Sequence, residues 1–204
     1  MSSQDNKVNN EDTINLVNKF IASNQRKRRN LVNDIESSAE SLYHVGEEII
    51  KNVDREGDDW AIGWVLQVLK KYKPKFFDNP TYNNWYYTNS GINLNYDDLQ
   101  LNLLKQNFEE ADRLTSAYLR KLAGKVAESR GYVFYSEVKD MPSEDLVTID
   151  RLWNIYSQGK FGFSNQAKLL KSVGKRYDLL WPKIGWKKDG IWTCLLYTSP
   201  SPRD

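Results

Sequence analysis

Cysteine and histidine are almost absent from the 204-residue sequence, which has one of each, Cys194 and His44. A single thiol cannot close an intramolecular disulfide, and two residues so far apart in the chain do not suggest a zinc ligand set. We therefore expect neither metal-dependent hydrolysis nor Cys–His catalysis.

Long apolar runs and an excess of one charge are also missing. No stretch approaches the about 18 apolar residues that span a bilayer, and the polar residues 1–13 resemble neither a signal peptide nor an acid-poor transit peptide. The 29 basic and 27 acidic residues leave a formal net charge of +2, which provides no global field for nucleic acid or a membrane surface. We therefore expect a soluble protein whose charged partners would contact local patches.

One local patch is the run NQRKRRN at residues 24–30, which has four consecutive basic residues. It could contact phosphates, but it lacks interleaved aromatic residues and can place only part of its charge on one helix face. We favour a solvated helix surface and do not predict nucleic acid as a partner. The acidic pairs Glu109–Glu110 and Glu144–Asp145 lie near predicted helix starts, where the helix dipole accounts for them without acid–base catalysis.

The spacing of apolar residues predicts an all-α fold in two parts. Apolar positions recur at helical spacing from Ile14 to Tyr72, which predicts three helices in an N-terminal bundle over residues 11–73. Pro74 and the aperiodic polar and aromatic residues after it predict a connector over residues 74–93.

A second helical part is predicted over residues 94–193. An apolar stripe from Phe108 indicates one helix, and Ser143 and Ser164 are expected as caps at the starts of two more. Only residues 132–138, YVFYSEV, alternate like a strand, and a single strand would have nothing to pair with.

The last residues, 194–204, depart from this pattern in composition. They resemble adapter-derived sequence translated at the end of an assembled transcript, so we expect an artefactual tail that takes no part in the fold. We expect the natural chain to continue differently after Thr193.

Aromatic residues make up 13% of the chain, and many are crowded into residues 132–192. Their spacing alone favours a role in the core. Spacing does not explain FYSEVKDMPSEDL at residues 134–146, or GKFGFS at residues 159–164, where two glycines allow backbone and rings to approach closely. Because loops carry function more often than helix stripes do, we treat both segments as candidate binding segments.

These segments belong to a longer pattern. Residues 145–166, DLVTIDRLWNIYSQGKFGFSNQ, and residues 179–193, LLWPKIGWKKDGIWT, resemble the genomes-uncoupled family of porphyrin-binding proteins, which stimulate magnesium chelatase in chlorophyll synthesis. The resemblance extends back through three earlier segments, at residues 108–115, 119–124 and 132–146. It implies that residues 94–193 form a compact, all-helical cupped-hand domain with an apolar palm, often preceded by a helical bundle.

The resemblance also implies which residues contact a porphyrin. Tyr135 lies at the position where an aromatic side chain faces the ring. The other implied contacts are Phe134, Val138, Met141, Phe161, Phe163 and Trp186. The first three lie beside or beneath Tyr135, whereas for the last three, and for Trp153, a purely structural role in the palm stays open. The sequence departs from the family pattern at Asn165, where an apolar residue is common.

The implied function is that of a non-catalytic tetrapyrrole carrier. Such a protein binds protoporphyrin IX and magnesium protoporphyrin IX as ligands, has no intrinsic cofactor, and stimulates magnesium chelatase by presenting them to its large catalytic subunit. The resemblance places it in the plastid stroma, or alternatively in the cyanobacterial cytoplasm, and is compatible with peripheral association with plastid membranes. An alternative from another class is a tetrapyrrole or bilin sensor or scaffold that signals through its N-terminal bundle.

Overall fold

The computed structural model describes residues 3–78, 82, 84–184 and 186–192. Its helices are α1 (Ser3–Ala22), α2 (Gln25–Ser37), α3 (Ala39–Lys51), α4 (Trp60–Tyr72), α5 (Asp97–Leu104), α6 (Phe108–Ala123), α7 (Lys125–Arg130), α8 (Ser143–Tyr156), α9 (Phe163–Ser172) and α10 (Tyr177–Lys183). Short 3-10 helices lie at Pro74–Asp78 and Tyr135–Asp140, and β1 (Lys187–Lys188) pairs antiparallel with β2 (Ile191–Trp192). The predicted all-α class is confirmed, with this small hairpin as an addition.

The N-terminal region contains four helices within the described residues, where the sequence predicted three. Helix α2 was missed because its apolar stripe is short: Ile35 is its one buried residue, and Leu31 and Val32 are only partly buried against the core. Its start is fixed locally, since the Asn24 side chain accepts a hydrogen bond from the Lys27 amide at 3.1 Å. The basic run therefore forms the first turn of α2.

Arg28 is the exception to the predicted solvated surface of the basic run. Its guanidinium pairs with Asp59, with Nη1 2.6 Å from Oδ1, and its Nε donates to the Phe20 carbonyl at 3.1 Å. The guanidinium carbon also lies 5.6 Å from the centroid of the Trp60 ring. Because Asp59 caps α4 by accepting from the Ala61 amide, Arg28 joins α2 to the start of α4. The other three basic side chains of the run are exposed.

Helix α4 lies at the centre of the fold, because every residue from Trp60 to Leu69 is buried. It packs against α2 and α3 in the N-terminal half and against α8 in the C-terminal half. The approach to α8 is close at Gly63, where an added Cβ atom would lie 2.4 Å from the Ile155 carbonyl oxygen. A single hydrophobic cluster consequently includes residues from Val17 to Tyr156.

The predicted connector lies between α4 and α5 and contributes aromatic side chains to the core. Its buried aromatic residues include Phe77, Tyr82, Trp85 and Tyr86. The Gln100 side chain accepts from the Tyr86 amide at 2.8 Å and donates to the Tyr86 carbonyl at 3.0 Å. The division into a bundle at 11–73, a connector at 74–93 and a core domain at 94–193 stays a prediction, and the observed packing runs across both bounds.

The segment that alternates like a strand, residues 132–138, leads into the 3-10 helix Tyr135–Asp140 instead. Helix α7 ends at Arg130, and Gly131, with φ of 89°, adopts the left-handed conformation that turns the chain into this segment. The pattern that resembled a strand therefore belongs to a loop that exposes Phe134 and Tyr135 to solvent.

Helices α8 and α9 begin close to their predicted starts. Helix α8 begins at Ser143, but it makes no side-chain capping bond there. Helix α9 begins at Phe163, one residue before the expected cap at Ser164, because Gly162 takes the N-cap position with φ of 115°. The backbone at Gly162 therefore decides where this helix begins.

Among the described residues, the structure has neither a membrane-spanning helix nor a cluster of metal-binding side chains. No helix there combines the length and apolar character that crossing a bilayer requires. In the same ranges, no group of three or more His, Cys, Asp or Glu residues is placed to hold a metal ion. The predicted tail at residues 194–204, including Cys194, lies outside the described residues.

Candidate functional site

Exposed large apolar side chains are concentrated in the second half of the described chain. Those that follow α6 are Val126, Phe134, Tyr135, Val138, Val147, Phe161, Phe163, Tyr177, Leu179, Trp186 and Ile191. Exposed apolar side chains in such numbers mark a surface for a ligand or a partner when they lie together. Six of the seven predicted site residues belong to this set.

The first cluster is the Tyr135 loop, which comprises residues 131–141. The Tyr135 side chain is 96% exposed, and Phe134 and Val138 beside it are also exposed. Met141, in contrast, is 7% exposed and belongs to the hydrophobic core. The loop therefore presents three of its predicted contacts to solvent and anchors itself in the core with the fourth.

A partly buried ion pair between Arg130 and Glu137 holds the Tyr135 loop in place. Glu137 Oε2 accepts hydrogen bonds from the Phe134 amide at 2.7 Å and from Arg130 Nη2 at 2.6 Å. These two donors lower the pKa of the Glu137 carboxyl below its ordinary value, the Phe134 amide being the larger cause. The carboxylate therefore stays charged to a lower pH than that of an ordinary glutamate.

The Arg130 guanidinium also contacts the aromatic side chains of the loop. Its carbon lies 4.0 Å from the centroid of the Phe134 ring and 4.6 Å from that of Tyr132. The two rings meet edge to face at 5.3 Å. Sequence reasoning missed Arg130 and Glu137, although Glu137 lies within the motif at residues 134–146 and Arg130 lies just before it.

The second cluster is the Phe161 turn, which comprises residues 157–165. Phe161 is 48% exposed and contacts two rings at its inner edge, with centroids 5.7 Å from Phe108 and 6.0 Å from Trp153. Trp153 is buried, and its Nε1 donates to the Thr115 hydroxyl at 2.9 Å. Trp153 is therefore a core residue, and Phe161 both packs on the core and reaches solvent.

Polar side chains of α8 hold the Phe161 turn. Asp150 Oδ1 accepts from the Ser164 amide at 3.0 Å, and Asn154 Nδ2 donates to the Ser164 hydroxyl at 3.0 Å. Asn165, where the family commonly has an apolar residue, donates to Asn154 Oδ1 at 2.6 Å and to the Phe161 carbonyl at 2.9 Å. The departure at Asn165 therefore adds a polar contact that fixes the turn.

Trp186 and a set of basic side chains follow the two clusters in sequence. Trp186 is 37% exposed, and its amide donates to the Trp181 carbonyl at 2.9 Å just before the hairpin. Residues 157–192 contain eight basic and two acidic residues. Since Lys160, Lys168, Lys171, Lys175 and Lys183 are exposed, this region can receive the carboxylates of an anionic ligand.

Comparison with known proteins identifies the class to which this fold and surface belong. The profile of the GUN4-like family matches residues 89–198, which is more than half of the chain and contains every predicted site residue. The chain belongs to the GUN4-like family, and the resemblance inferred from the sequence motifs is confirmed.

Relatives with curated descriptions cover cyanobacteria and plants. The chain is 38% identical over 149 residues to a Ycf53-like protein of Synechocystis, covering 71% of this chain and 64% of that protein. It is 43% identical over 93 residues to a chloroplastic tetrapyrrole-binding protein of Arabidopsis thaliana, and the match covers 46% of this chain and 35% of that protein. The chain thus spans under two thirds of the length of these relatives.

Solved structures from the same family are similar over about half of the chain. GUN4 from Chlamydomonas reinhardtii is 35% identical, covers 50% of this chain and 73% of its own, and gives a TM-score of 0.49. Ligand-free GUN4 from Arabidopsis thaliana is 42% identical, and the match covers 47% of this chain and 67% of that chain with a TM-score of 0.45.

Proposed function

We propose that this chain binds a tetrapyrrole on a surface formed by the Tyr135 loop and the Phe161 turn, without performing catalysis. The observation that carries the proposal is the 96% exposure of Tyr135 inside the segment that matches the GUN4-like family. The name of the Arabidopsis relative, a tetrapyrrole-binding protein, supports the same ligand class.

The physical chemistry of a tetrapyrrole suits the side chains of this surface. A porphyrin is a flat apolar ring system with two carboxylates at one edge, so it requires exposed rings to cover its face and cations to receive its edge. Exposed rings come from Phe134, Tyr135, Phe161, Phe163 and Trp186, the Val138 side chain is also exposed, and Met141 is buried. The exposed lysines of residues 157–192 supply the cations.

The proposed ligands are protoporphyrin IX and magnesium protoporphyrin IX, and the proposed partner is the large catalytic subunit of magnesium chelatase. The chain would stimulate that enzyme by delivering a bound tetrapyrrole, so that no proton transfer or bond change is required of its own residues. This part of the proposal is supported by the family resemblance.

We place the protein in the plastid stroma, with the cyanobacterial cytoplasm as the alternative. The Arabidopsis relative is described as chloroplastic, and the Synechocystis relative comes from a cyanobacterium. Exposed apolar and basic side chains over residues 157–192 are compatible with peripheral contact to plastid membranes.

The ligand is tested by titrating the full chain with deuteroporphyrin IX, a water-soluble analogue of protoporphyrin. We expect a saturable shift of the Soret band and saturable quenching of tryptophan emission, because the chain has seven tryptophans, of which Trp153 contacts Phe161 and Trp186 is itself a predicted contact. Absence of saturation in both signals would overturn the proposal.

A second candidate function is a tetrapyrrole or bilin sensor that signals through the N-terminal helices. The observation that favours it is the packing of α4 directly on α8 at Gly63. Because this contact is close, a shift of α8 on ligand binding would also displace α4. The two candidates are distinguished by adding the chain to reconstituted magnesium chelatase. Porphyrin binding without a rise in chelatase turnover favours the sensor.

A further inference from the structure

The Tyr135 ring has almost no packing contacts to hold it in place. It is 96% exposed, and the 3-10 helix Tyr135–Asp140 that carries it has no buried residue. Short 3-10 helices have poor hydrogen-bond geometry and little stability of their own. The conformation that presents Tyr135 must therefore be maintained by contacts of its neighbours.

Glu137 within the loop and Arg130 at the end of α7 make such contacts. Glu137 Oε2 ties the 3-10 helix to the Phe134 amide at 2.7 Å and to Arg130 Nη2 at 2.6 Å. The same Arg130 nitrogen donates to the Tyr132 carbonyl at 3.0 Å. Because the two side chains are only 19% and 25% exposed, their charge-assisted bonds are stronger than those of a fully solvated pair.

Ring contacts add to this arrangement on the side of the loop that faces α7. The guanidinium lies over the Phe134 ring at 4.0 Å and over the Tyr132 ring at 4.6 Å, in the range of cation–π attraction. Arg130 thus holds Tyr132 and Phe134, which precede Tyr135, while Glu137, which follows it, ties the 3-10 helix back to Phe134. The Tyr135 side chain itself is left almost fully exposed.

We infer that Arg130 and Glu137 are positioning residues for tetrapyrrole binding, whose ion pair holds the Tyr135 loop in the conformation that presents the Tyr135 ring to the ligand. The inference rests on the proposed function and deepens it. Neither residue needs to touch the ligand, since both act through Tyr135. An ordered loop also saves the entropy that a mobile loop would lose on binding.

The test is a double-mutant cycle in the full chain, with deuteroporphyrin IX as the probe. We expect Glu137→Ala to weaken binding about tenfold, and Glu137→Gln to weaken it less, because its side-chain carbonyl can still accept from the Phe134 amide. In a chain that already carries Tyr135→Ala, Glu137→Ala should cause less than about a twofold further loss. Glu128→Gln, an exposed carboxylate on α7, serves as the matched control and should bind like the wild type.

The outcomes separate this inference from the proposed function. A wild-type chain that does not bind the probe overturns both. A wild-type chain that binds, with Glu137→Ala binding equally well or with losses that add fully to those of Tyr135→Ala, overturns the positioning role alone. Circular dichroism checks that each variant is folded. If Glu137→Ala is not folded, the same cycle is carried out with Glu137→Gln. An unchanged affinity of the Glu137→Gln variant for the probe would then overturn the inference.

Discussion

Asp145 joins the start of α8 to the segment before α5 and has no exposed surface. Its carboxylate accepts hydrogen bonds from the Ser90 hydroxyl, the Gly91 amide and the Tyr96 hydroxyl. Burial, with a further contribution from this carboxylate, raises the pKa of Tyr96 well above its ordinary value, so the hydroxyl stays a donor. The helix-dipole role predicted for the Glu144–Asp145 pair therefore describes only part of what Asp145 does.

We predict that Asp145→Ala lowers the free energy of unfolding by about 2 to 4 kcal/mol, because three donors lose their acceptor and one of them is buried. The neighbouring Glu144, exposed at the same helix start, provides the matched control. Glu144→Ala should cost no more than about 1 kcal/mol, the size of a helix-dipole contribution. Urea denaturation measures both, and similar costs for the two variants would argue against the hydrogen-bond account.

Tyr135→Ala should weaken porphyrin binding about tenfold while leaving helix content and the thermal midpoint unchanged, because the ring is exposed and contributes little to the core. Tyr43→Ala, an exposed tyrosine on α3, should bind like the wild type. Titration with deuteroporphyrin IX and thermal melts by circular dichroism provide the two readouts. A parallel loss of binding and of helical signal would indicate that Tyr135 has a structural role instead.

At the scale of elements, apolar stripes allowed α3, α4, α6 and α8 to be predicted, since each buries a set of residues at helical spacing. Helix α2 and the 3-10 helix Tyr135–Asp140 could not be predicted in this way, because the first buries only Ile35 and the second buries none. For the candidate site, the motifs indicated Tyr135 and Phe161. Their supports, such as the Arg130–Glu137 pair, depend on how the chain turns and have no periodic signal.

The start of α9 provides a prediction at this scale. Gly162 has φ of 115°, and an added Cβ would lie 2.5 Å from Asp150 Oδ1. Gly174, with φ of 68°, has open space around its Cα. We expect Gly174→Ala to cost about 1 kcal/mol from backbone strain alone and Gly162→Ala about 2 to 4 kcal/mol, because the second adds a clash. Equal midpoints of urea unfolding for the two variants would show that the turn at Gly162 rearranges to avoid the clash at little cost in stability.

At the scale of the whole molecule, the N-terminal and C-terminal halves should unfold together. The core cluster runs through both, and Gln67 of α4 donates hydrogen bonds to the Leu103 and Tyr156 carbonyls at 3.0 and 2.8 Å. We therefore predict one transition, coincident by tryptophan fluorescence and far-UV circular dichroism. Two separated transitions would support the division into independent domains at residues 74–93.

Gly63→Ala tests the same coupling at the contact between α4 and α8. The added Cβ would lie 2.4 Å from the Ile155 carbonyl oxygen, so the helices must separate, at an expected cost of about 2 to 4 kcal/mol. If the halves are coupled, the variant should lower the unfolding midpoint reported by both signals. A shift confined to one signal would contradict this prediction.

The burial of α4 also has a consequence for how the protein is made in the cell. Ten successive residues from Trp60 to Leu69 are buried in the finished fold, but the ribosome completes them roughly 75 residues before it begins α8. At about 5 to 20 residues per second, α4 waits for α8 for about 4 to 15 seconds, with N-terminal neighbours such as α2 and α3 to pack against. Until α8 is made, the side of α4 that packs on α8 therefore stays exposed on the nascent chain, where we expect a chaperone to bind it.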